Sequence, residues 1–190
     1  MIASHNTFSY MKSSWLMERF SKYWRCQNIS AKEQAEVYHV DVCDIRVKYH
    51  KGHWRLCHGK AMFGEKYSYL EHLIKHCLNY GFKSYRLMYE SNDSGYYKFL
   101  TEFYGLPSWM RSCCIAALNK PKWDCVYGSI NAIQEHNKHI WYNNKPFWKN
   151  IINLFYPSIK EYAVLNNVLP EKEDDNIYMF DYVQYLSHVK

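Results

Sequence analysis

Two histidines, one aspartate and one arginine near the start of the chain have side chains suited to phosphodiester chemistry. They are His5, Asp44, Arg46 and His58. A neutral imidazole can accept a proton from a hydroxyl nucleophile, and a protonated imidazole can donate one to the leaving oxygen. A guanidinium neutralises the negative charge that develops on phosphoryl oxygens. These residue types are therefore typical of an acid–base phosphodiesterase site.

The acid and the guanidinium lie two residues apart in a strand-like segment. In VYHVDVCDIRV (37–47), strand alternation places Asp44 and Arg46 on one side, together with Val42. Charges on the inner face of a buried strand are costly unless they are paired or functional. The two interpretations are an internal Asp44–Arg46 ion pair and a functional site.

Each histidine stands at the carboxyl end of its own predicted strand. IASH (2–5) ends at His5, and in WRLCHG (54–59) the strand ends at His58, immediately before a glycine. In parallel α/β barrels the active site lies at the carboxyl ends of the strands. We therefore expect both imidazoles to meet Asp44 and Arg46 at one edge of the sheet.

Strand-like and helix-like segments alternate along the chain. The predicted strands are 2–5, 37–47, 54–59, 83–91, 113–118 and 176–183, and the predicted helices are 67–81, 94–105 and 129–141, with another helix beginning after Ser30. This alternation predicts a parallel α/β architecture. Because 190 residues fall short of the ~250 that are usual for a (β/α)8 barrel, we expect a compact or incomplete TIM-type barrel. We expect residues 1–190 to form one domain.

The amino-acid composition indicates which binding partners and which cellular compartment to expect. A formal charge of +6 favours anionic partners, but the absence of a basic run argues against nucleic acid. Seven cysteines without a Cys-x-x-Cys pair fit reduced thiols in a cytosolic protein. With no signal peptide and no transmembrane segment apparent, we expect a cytoplasmic or membrane-peripheral protein. The oligomeric state is not indicated.

Four short motifs follow one another in the first third of the chain: SHNT (4–7), WRCQNIS (24–30), DIRV (44–47) and CHGK (57–60). Their order and spacing resemble those of the X domain of phosphatidylinositol-specific phospholipase C. Through them, residues 2–60 resemble that family. Farther along, YRLMYES (85–91) and MFDYV (179–183) resemble its fourth and last barrel strands.

The resemblance implies an enzyme that cleaves the inositol phosphodiester by attack of a neighbouring ring hydroxyl. The products are an inositol cyclic phosphate and diacylglycerol. Intramolecular attack explains how two histidines suffice, because well-oriented groups reach effective molarities of about 10⁵ M or more.

The resemblance also implies roles for individual residues. His5 is the expected general base and His58 the expected general acid, while Arg46 and Lys60 are expected to bind the substrate. On the last predicted strand, Asp181 could orient the imidazole of His5, as a carboxylate does in other histidine sites. The alternative for Asp181 is a surface or capping role.

Metal dependence is left open by the same comparison. Calcium-dependent members bind the ion through positions that match Asn6, Asp44 and Glu90. Metal-independent bacterial members carry an arginine where this chain has Arg46. Since a cation beside a guanidinium is repelled, we expect no cofactor, with Ca²⁺ as the alternative.

The preferred function is therefore a phosphodiesterase or lyase that acts on phosphatidylinositol or a related phosphodiester. One alternative is a catalytically silent barrel that binds a phosphoinositide or an inositol phosphate. Another is a glycerophosphodiester phosphodiesterase, since fold alone does not determine the substrate. The expected partners are a phospholipid or inositol phosphodiester substrate and an anionic membrane surface that contacts exposed aromatic side chains.

Overall fold

A computed structural model describes residues 1–91, 93–116 and 178–188, together with residues 160, 163, 168 and 169. The strands are β1 (Ile2–Ser4), β2 (Val42–His50), β3 (His53–His58), β4 (Ala61–Tyr67), β5 (Ser84–Tyr89), β6 (Cys114–Ala116), β7 (Val168–Leu169), β8 (Tyr178–Phe180) and β9 (Ser187–His188). The α-helices are α1 (Trp15–Arg19), α2 (Ala31–Glu36), α3 (Leu70–Leu78), α4 (Gly95–Gly105) and α5 (Ser108–Cys113), and short 3₁₀ turns cover Ser21–Tyr23 and Val183–Tyr185. The predicted helix 129–141 lies outside the described residues.

Seven of these strands form one mixed sheet. Strands β8, β1, β2, β5 and β6 are parallel and adjacent in that order. The hairpin β3–β4 joins the same sheet antiparallel to β2. Strands β7 and β9 pair with each other in a separate, two-stranded parallel sheet.

The prediction of a TIM-type barrel is wrong, because the described strands form an open sheet that does not close on itself. The sequence HKGH (50–53) also introduces an antiparallel hairpin, which a parallel barrel does not contain. Lys51 and Gly52 both have positive φ, 48° and 81°, as a two-residue type I′ hairpin turn requires. The turn folds β3 back antiparallel along β2, so the strand that ends at His58 is not a successive parallel strand of a barrel.

The start of β2 is also later than predicted. Residues 37–41 connect α2 to β2, and Val37 caps the end of that helix. The helix itself begins as predicted at Ser30, whose side chain and that of Glu33 form a reciprocal capping box. Within β2, Cys43, Ile45 and Val47 join the hydrophobic core, so Asp44 and Arg46 lie on the opposite face, in agreement with strand alternation.

Helices α3 and α4 pack on each other and on the sheet near β2, β3 and β4. Helix α3 buries Leu70, Leu73, Ile74 and Cys77, the spacing of one helical face. Trp54 of β3 is completely buried in the same core, and its indole Nε1 donates to Glu102 of α4. This packing anchors the hairpin that carries His58. None of the described helices has the length and apolar character needed to cross a bilayer.

Candidate active site

His5 and His58 lie close together because β1 and β3 pair with the same edge of β2. Strand β1 runs parallel to the beginning of β2, where Ser4 is opposite Cys43. Strand β3 runs antiparallel to the end of β2, where Leu56 is opposite Val47. The carboxyl ends of β1 and β3 therefore point toward each other, and His5 and His58 meet beside the middle of β2.

His5 is held from one side by Asp181. The backbone N–H of His5 donates to Phe180 O at 2.9 Å, extending the parallel β1–β8 pairing by one residue. Asp181 follows directly, and its Oδ1 lies 2.7 Å from His5 Nδ1. Both residues are buried, His5 to 8% exposure and Asp181 to 2%. A carboxylate accepts hydrogen bonds, so Nδ1 carries the proton and Nε2 is left as the proton acceptor.

His58 is held in the same manner by a backbone carbonyl. Its Nδ1 lies 2.5 Å from Trp24 O, and a carbonyl can only accept, so Nδ1 again carries the proton. The rings of His5 and His58 are 5.2 Å apart at their centroids and nearly perpendicular, at 81°. The geometry therefore leaves the Nε2 atoms of two adjacent imidazoles for proton transfer.

The turn after β1 explains the sequence SHNT. Asn6 has φ 46°, a left-handed conformation that asparagine tolerates better than most residues. Its backbone N–H donates to Asp44 Oδ2 at 2.9 Å, and its side-chain amide donates to Cys57 O at 3.0 Å. Thr7 Oγ1 accepts from the N–H of Asp44 at 2.8 Å. These bonds tie the residue after His5 to the residue before His58.

Asp44 and Arg46 form the ion pair that strand alternation left as one alternative. Arg46 Nε donates to Asp44 Oδ2 at 2.8 Å, and Arg46 Nη1 lies 3.3 Å from Glu90 Oε1. Arg86, opposite Asp44 in the β2–β5 register, places Nη1 at 3.3 Å from Asp44 Oδ1. Burial raises the pKa of the Asp44 carboxyl, but Arg46 and then Arg86 outweigh that effect and hold the pKa below its usual value.

Burial and charge keep both imidazoles neutral at pH 7. The pKa of His5 is lowered to about 3, first by burial and then by Arg46, although Asp181 acts in the opposite direction. The pKa of His58 is also lowered, again by burial and then by Arg46. In this resting state either ring can accept a proton, and a ring that is to donate one from Nε2 must first gain it.

Two side chains of the WRCQNIS segment contribute to the site. Gln27 Nε2 donates to Phe180 O at 2.9 Å, and Gln27 Oε1 accepts from the N–H of Val183 at 3.1 Å. Cys26, fully buried, places Sγ at 3.5 Å from His58 Nδ1. Neither residue was predicted individually, because a loop pattern does not say which of its polar groups face the site.

Two predicted residues lie at the periphery. Lys60 is exposed in the turn between β3 and β4, so its placement alone gives it no part in the buried network. Glu90 follows β5 and is half-buried against Arg46. Arg86 was not predicted, although its position in YRLMYES, two and four residues from Met88 and Glu90, places it on the same strand face.

The residues expected for calcium do not fit a calcium site. Ca²⁺ takes six to eight oxygen ligands. Asp44 and Glu90 are each paired with a guanidinium. The NH₂ group of Asn6 donates to Cys57 O, which leaves Oδ1 as the single ligand atom that this side chain could offer. Only Oε2 of Glu90 lacks both a hydrogen bond and an ion-pair contact among these carboxylate oxygens, within the described part of the chain. A cation here would displace the arginines and be repelled by them.

No protein-family model matches the sequence, and no curated protein matches it. Among solved structures, the chain is similar to a phosphatidylinositol-specific phospholipase C of S. aureus, in a structure that concerns the membrane binding of that enzyme. The two are 14% identical with a TM-score of 0.36, and the match covers 94% of this chain and 46% of that chain. The chain thus has a distant structural neighbour that is a phospholipase C, at a similarity too low to establish its fold or its activity.

Proposed function

We propose that this protein is a phosphodiesterase that cleaves phosphatidylinositol, or a related phosphodiester whose alcohol carries a neighbouring hydroxyl. The observation that carries the proposal is the pair of adjacent imidazoles of His5 and His58, each with Nδ1 occupied and Nε2 left for chemistry. The Arg46 guanidinium beside them supplies the positive charge that a phosphoryl group requires.

In the proposed reaction, His5 Nε2 removes the proton of the neighbouring hydroxyl, and that oxygen attacks phosphorus. The bond from phosphorus to the leaving alcohol breaks, and protonated His58 donates a proton to the departing oxygen. The products are a cyclic phosphodiester and the free alcohol, with His5 protonated and His58 neutral. Proton exchange with water, or hydrolysis of the cyclic product by the reverse roles, restores the starting state. Asp181 stabilises the His5 imidazolium that forms.

Substrate binding itself favours protonation of His58. Arg46 is a principal cause, after burial, of the lowered pKa of His58. A bound phosphodiester anion offsets the Arg46 charge and so raises the pKa of His58. An anion bound beside Arg46 therefore favours the protonated form of His58. The same anion acts on His5 in the same direction, and the Asp181 contact at Nδ1 directs Nε2 of His5 to the substrate proton.

A lipid substrate would also need a surface that contacts the membrane. Helix α1 exposes Trp15 and Leu16, and Phe20, which follows the helix, is also exposed, with Trp15 at 73%. Arg19 lies over the Trp15 ring. The following segment leads directly to Trp24, whose carbonyl contacts His58. The indole Nε1 of Trp24 also donates to Met17 O of α1 at 2.8 Å. Exposed aromatic and basic side chains on this helix support contact with an anionic membrane.

A cysteine hydrolase is a weaker interpretation of the same residues. Cys26 and His58 lie within 3.5 Å, as a nucleophile and its base would. However, the thiol is fully buried, and burial followed by Asp181 raises its pKa well above the usual value. A thiolate is the nucleophile in such enzymes, so this environment opposes that role.

The test is ³¹P NMR of the purified full chain with phosphatidylinositol in detergent micelles, first with calcium and then with EGTA. We expect a cyclic phosphodiester signal in both samples, and its loss in His5→Ala and in His58→Ala. The matched control is His72→Ala on the exposed face of α3, which should behave as wild type.

Glycerophosphoinositol and glycerophosphocholine are tested in parallel. Turnover of glycerophosphocholine would change the assigned headgroup. No turnover of any substrate, together with saturable binding of inositol phosphate, would overturn the proposal in favour of a silent binding protein.

A further inference from the structure

Cys26 completes a cluster that the proposed reaction does not use. One potential ligand atom from each of His5, Cys26 and His58 lies within 4.8 Å of the other two. His5 and Cys26 are buried, Cys26 at 0% exposure, and His58 is half-buried. Two imidazoles and a thiol are the ligands that Zn²⁺ prefers in proteins.

We propose that His5, Cys26 and His58 form a binding site for Zn²⁺ that inhibits the enzyme. Binding of the metal goes beyond the proposed function and does not depend on it. Inhibition rests on the proposed function, because a metal bound to both imidazoles removes the general base and the general acid together.

The distances are close to those of a zinc site. Zn–S bonds of ≈2.3 Å and Zn–N bonds of 2.0–2.1 Å in a tetrahedral arrangement place ligand atoms about 3.3–3.6 Å apart. Separations of at most 4.8 Å therefore require side-chain movements of about 1 Å. Three protein ligands leave one position for water.

The surroundings of His5 also resemble those of a zinc ligand. Metal-binding histidines usually donate their second ring N–H to a carboxylate or a backbone carbonyl, which orients the ring. His5 donates to Asp181 at 2.7 Å. His5 would therefore ligate through Nε2, with Asp181 already in place as its outer partner. At His58 the nitrogen near Cys26 Sγ is Nδ1, at 3.5 Å, so binding the ion through that atom would replace its hydrogen bond to Trp24 O.

The charge balance accommodates the ion even though Arg46 is nearby. Arg46 is paired with Asp44 and with Glu90, and Arg86 is also paired with Asp44. Together with Asp181, these five side chains carry a formal charge of −1. A Zn²⁺ ion bound by one thiolate and two neutral imidazoles adds +1, so the buried cluster becomes neutral. Calcium differs because it would need the carboxylate oxygens that the arginines hold.

The experiment measures metal binding to the metal-free full chain by equilibrium dialysis with zinc chloride, and by absorption with cobalt chloride as a spectroscopic substitute. We expect one tight Zn²⁺ per chain and a thiolate-to-cobalt charge-transfer band. Cys26→Ala should lose the band and bind Zn²⁺ at least about 100-fold more weakly, since loss of even an outer partner costs 10–100-fold. Asp181→Asn should keep the band and bind 10–100-fold more weakly.

Controls separate this site from the other thiols. Cys43→Ala, also at a fully buried cysteine, and Cys113→Ser, at an exposed one, should bind as wild type. His58→Asn should lose tight binding and provides a second variant if Cys26→Ala fails to fold by circular dichroism. A cobalt complex without the thiolate band, or equal Zn²⁺ affinity in Cys26→Ala and Cys43→Ala, would overturn the proposal.

Activity then distinguishes the two proposals. If metal-free wild type turns over a phosphodiester and Zn²⁺ stops turnover at the occupancy measured by dialysis, both stand. If the metal binds as expected but the metal-free protein has no activity, the zinc site stands and the proposed function fails. Turnover that continues with the site fully loaded would refute the inhibitory role.

Discussion

Asp181→Asn should reduce turnover by about 10³-fold or more while leaving the fold intact. Asp181 Oδ1 lies 2.7 Å from His5 Nδ1, which places the centres of the two charged groups about 4 Å apart once His5 is protonated. At an effective dielectric constant of about 20, unit charges at that separation attract by about 4 kcal/mol. Removing this attraction raises the barrier by a similar amount, which corresponds to about 10³-fold in rate.

The amide adds a second effect in the same direction. If the asparagine NH₂ faces His5 Nδ1, that nitrogen must accept, and the proton moves to Nε2. His5 then cannot act as the base. The loss should therefore appear mainly in kcat, because the variant keeps Arg46 and the binding surface.

The assay is initial-rate measurement of kcat and KM with a water-soluble inositol phosphodiester, alongside thermal unfolding. The matched control is Asp41→Asn, at the opposite end of β1, where Asp41 accepts from the N–H of Ile2 at 3.0 Å. Its turnover should match wild type. Asp181→Asn retaining more than a tenth of wild-type kcat, with an unchanged Tm, would refute the assigned role of Asp181.

Three further predictions concern stability and membrane contact. The pKa of Asp44 is lowered in the folded state, so the stabilisation from Asp44 is present above its unfolded pKa of ≈3.9 and is lost as pH falls through the folded value. Asp44→Asn should therefore lower the free energy of unfolding at pH 7. In urea titrations, the free energy of unfolding of this variant should also decline less than that of wild type below about pH 4. Ser30→Ala removes the capping box of α2 and should lower the free energy of unfolding by about 1 kcal/mol without changing kcat. Trp15→Ala combined with Phe20→Ala should weaken sedimentation with phosphatidylglycerol vesicles while turnover of a water-soluble substrate is unchanged.

Each of these predictions has a contrary outcome. An unchanged pH dependence in Asp44→Asn would show that the Asp44 contacts do not stabilise the fold. A Ser30→Ala variant as stable as wild type would mean that α2 does not need its cap. Tyr97→Ala, at an exposed position of α4, is the control for vesicle binding. An equal loss in that variant would show that exposed aromatic side chains in general, and not Trp15 and Phe20, bind the vesicle.

The sequence predicted which residues would come together better than it predicted the fold that brings them together. His5 and His58 were predicted at strand ends and Asp181 within the last strand. In the structure His58 ends β3, while His5 and Asp181 directly follow β1 and β8, and the roles of all three remain predictions. The barrel prediction included no antiparallel hairpin, because the two-residue turn at Lys51–Gly52 was not recognised as a hairpin signal. The antiparallel strands were also missed because their sequences alternate little between apolar and polar residues. Both the Lys51–Gly52 turn and the β4 segment AMFGEKY contain a glycine, and such stretches specify strand pairing weakly.

Other parts of the site depend on contacts that a one-dimensional pattern does not contain. The acceptor for His58 Nδ1 is a backbone carbonyl, that of Trp24, and any residue type supplies one. Arg86 reaches Asp44 because of the β2–β5 register, which strand pairing decides. Only the buried position of Asp44 beside Arg46 was readable directly from alternation.

Because β1 and β3 end facing each other along β2, the length of the β2–β3 hairpin determines the distance between His5 and His58. The number of residues from Val47 through the turn to His58 sets the spacing of the two imidazoles, much as the length of a linker sets the gap between two tethered groups. Inserting or deleting one residue between Val47 and His58 shifts the register by ≈3.3 Å and turns every following side chain to the other face. Within this stretch, length variation among homologous sequences should be as rare as replacement of the histidines, whereas the exposed end of α4 has no such constraint on its length.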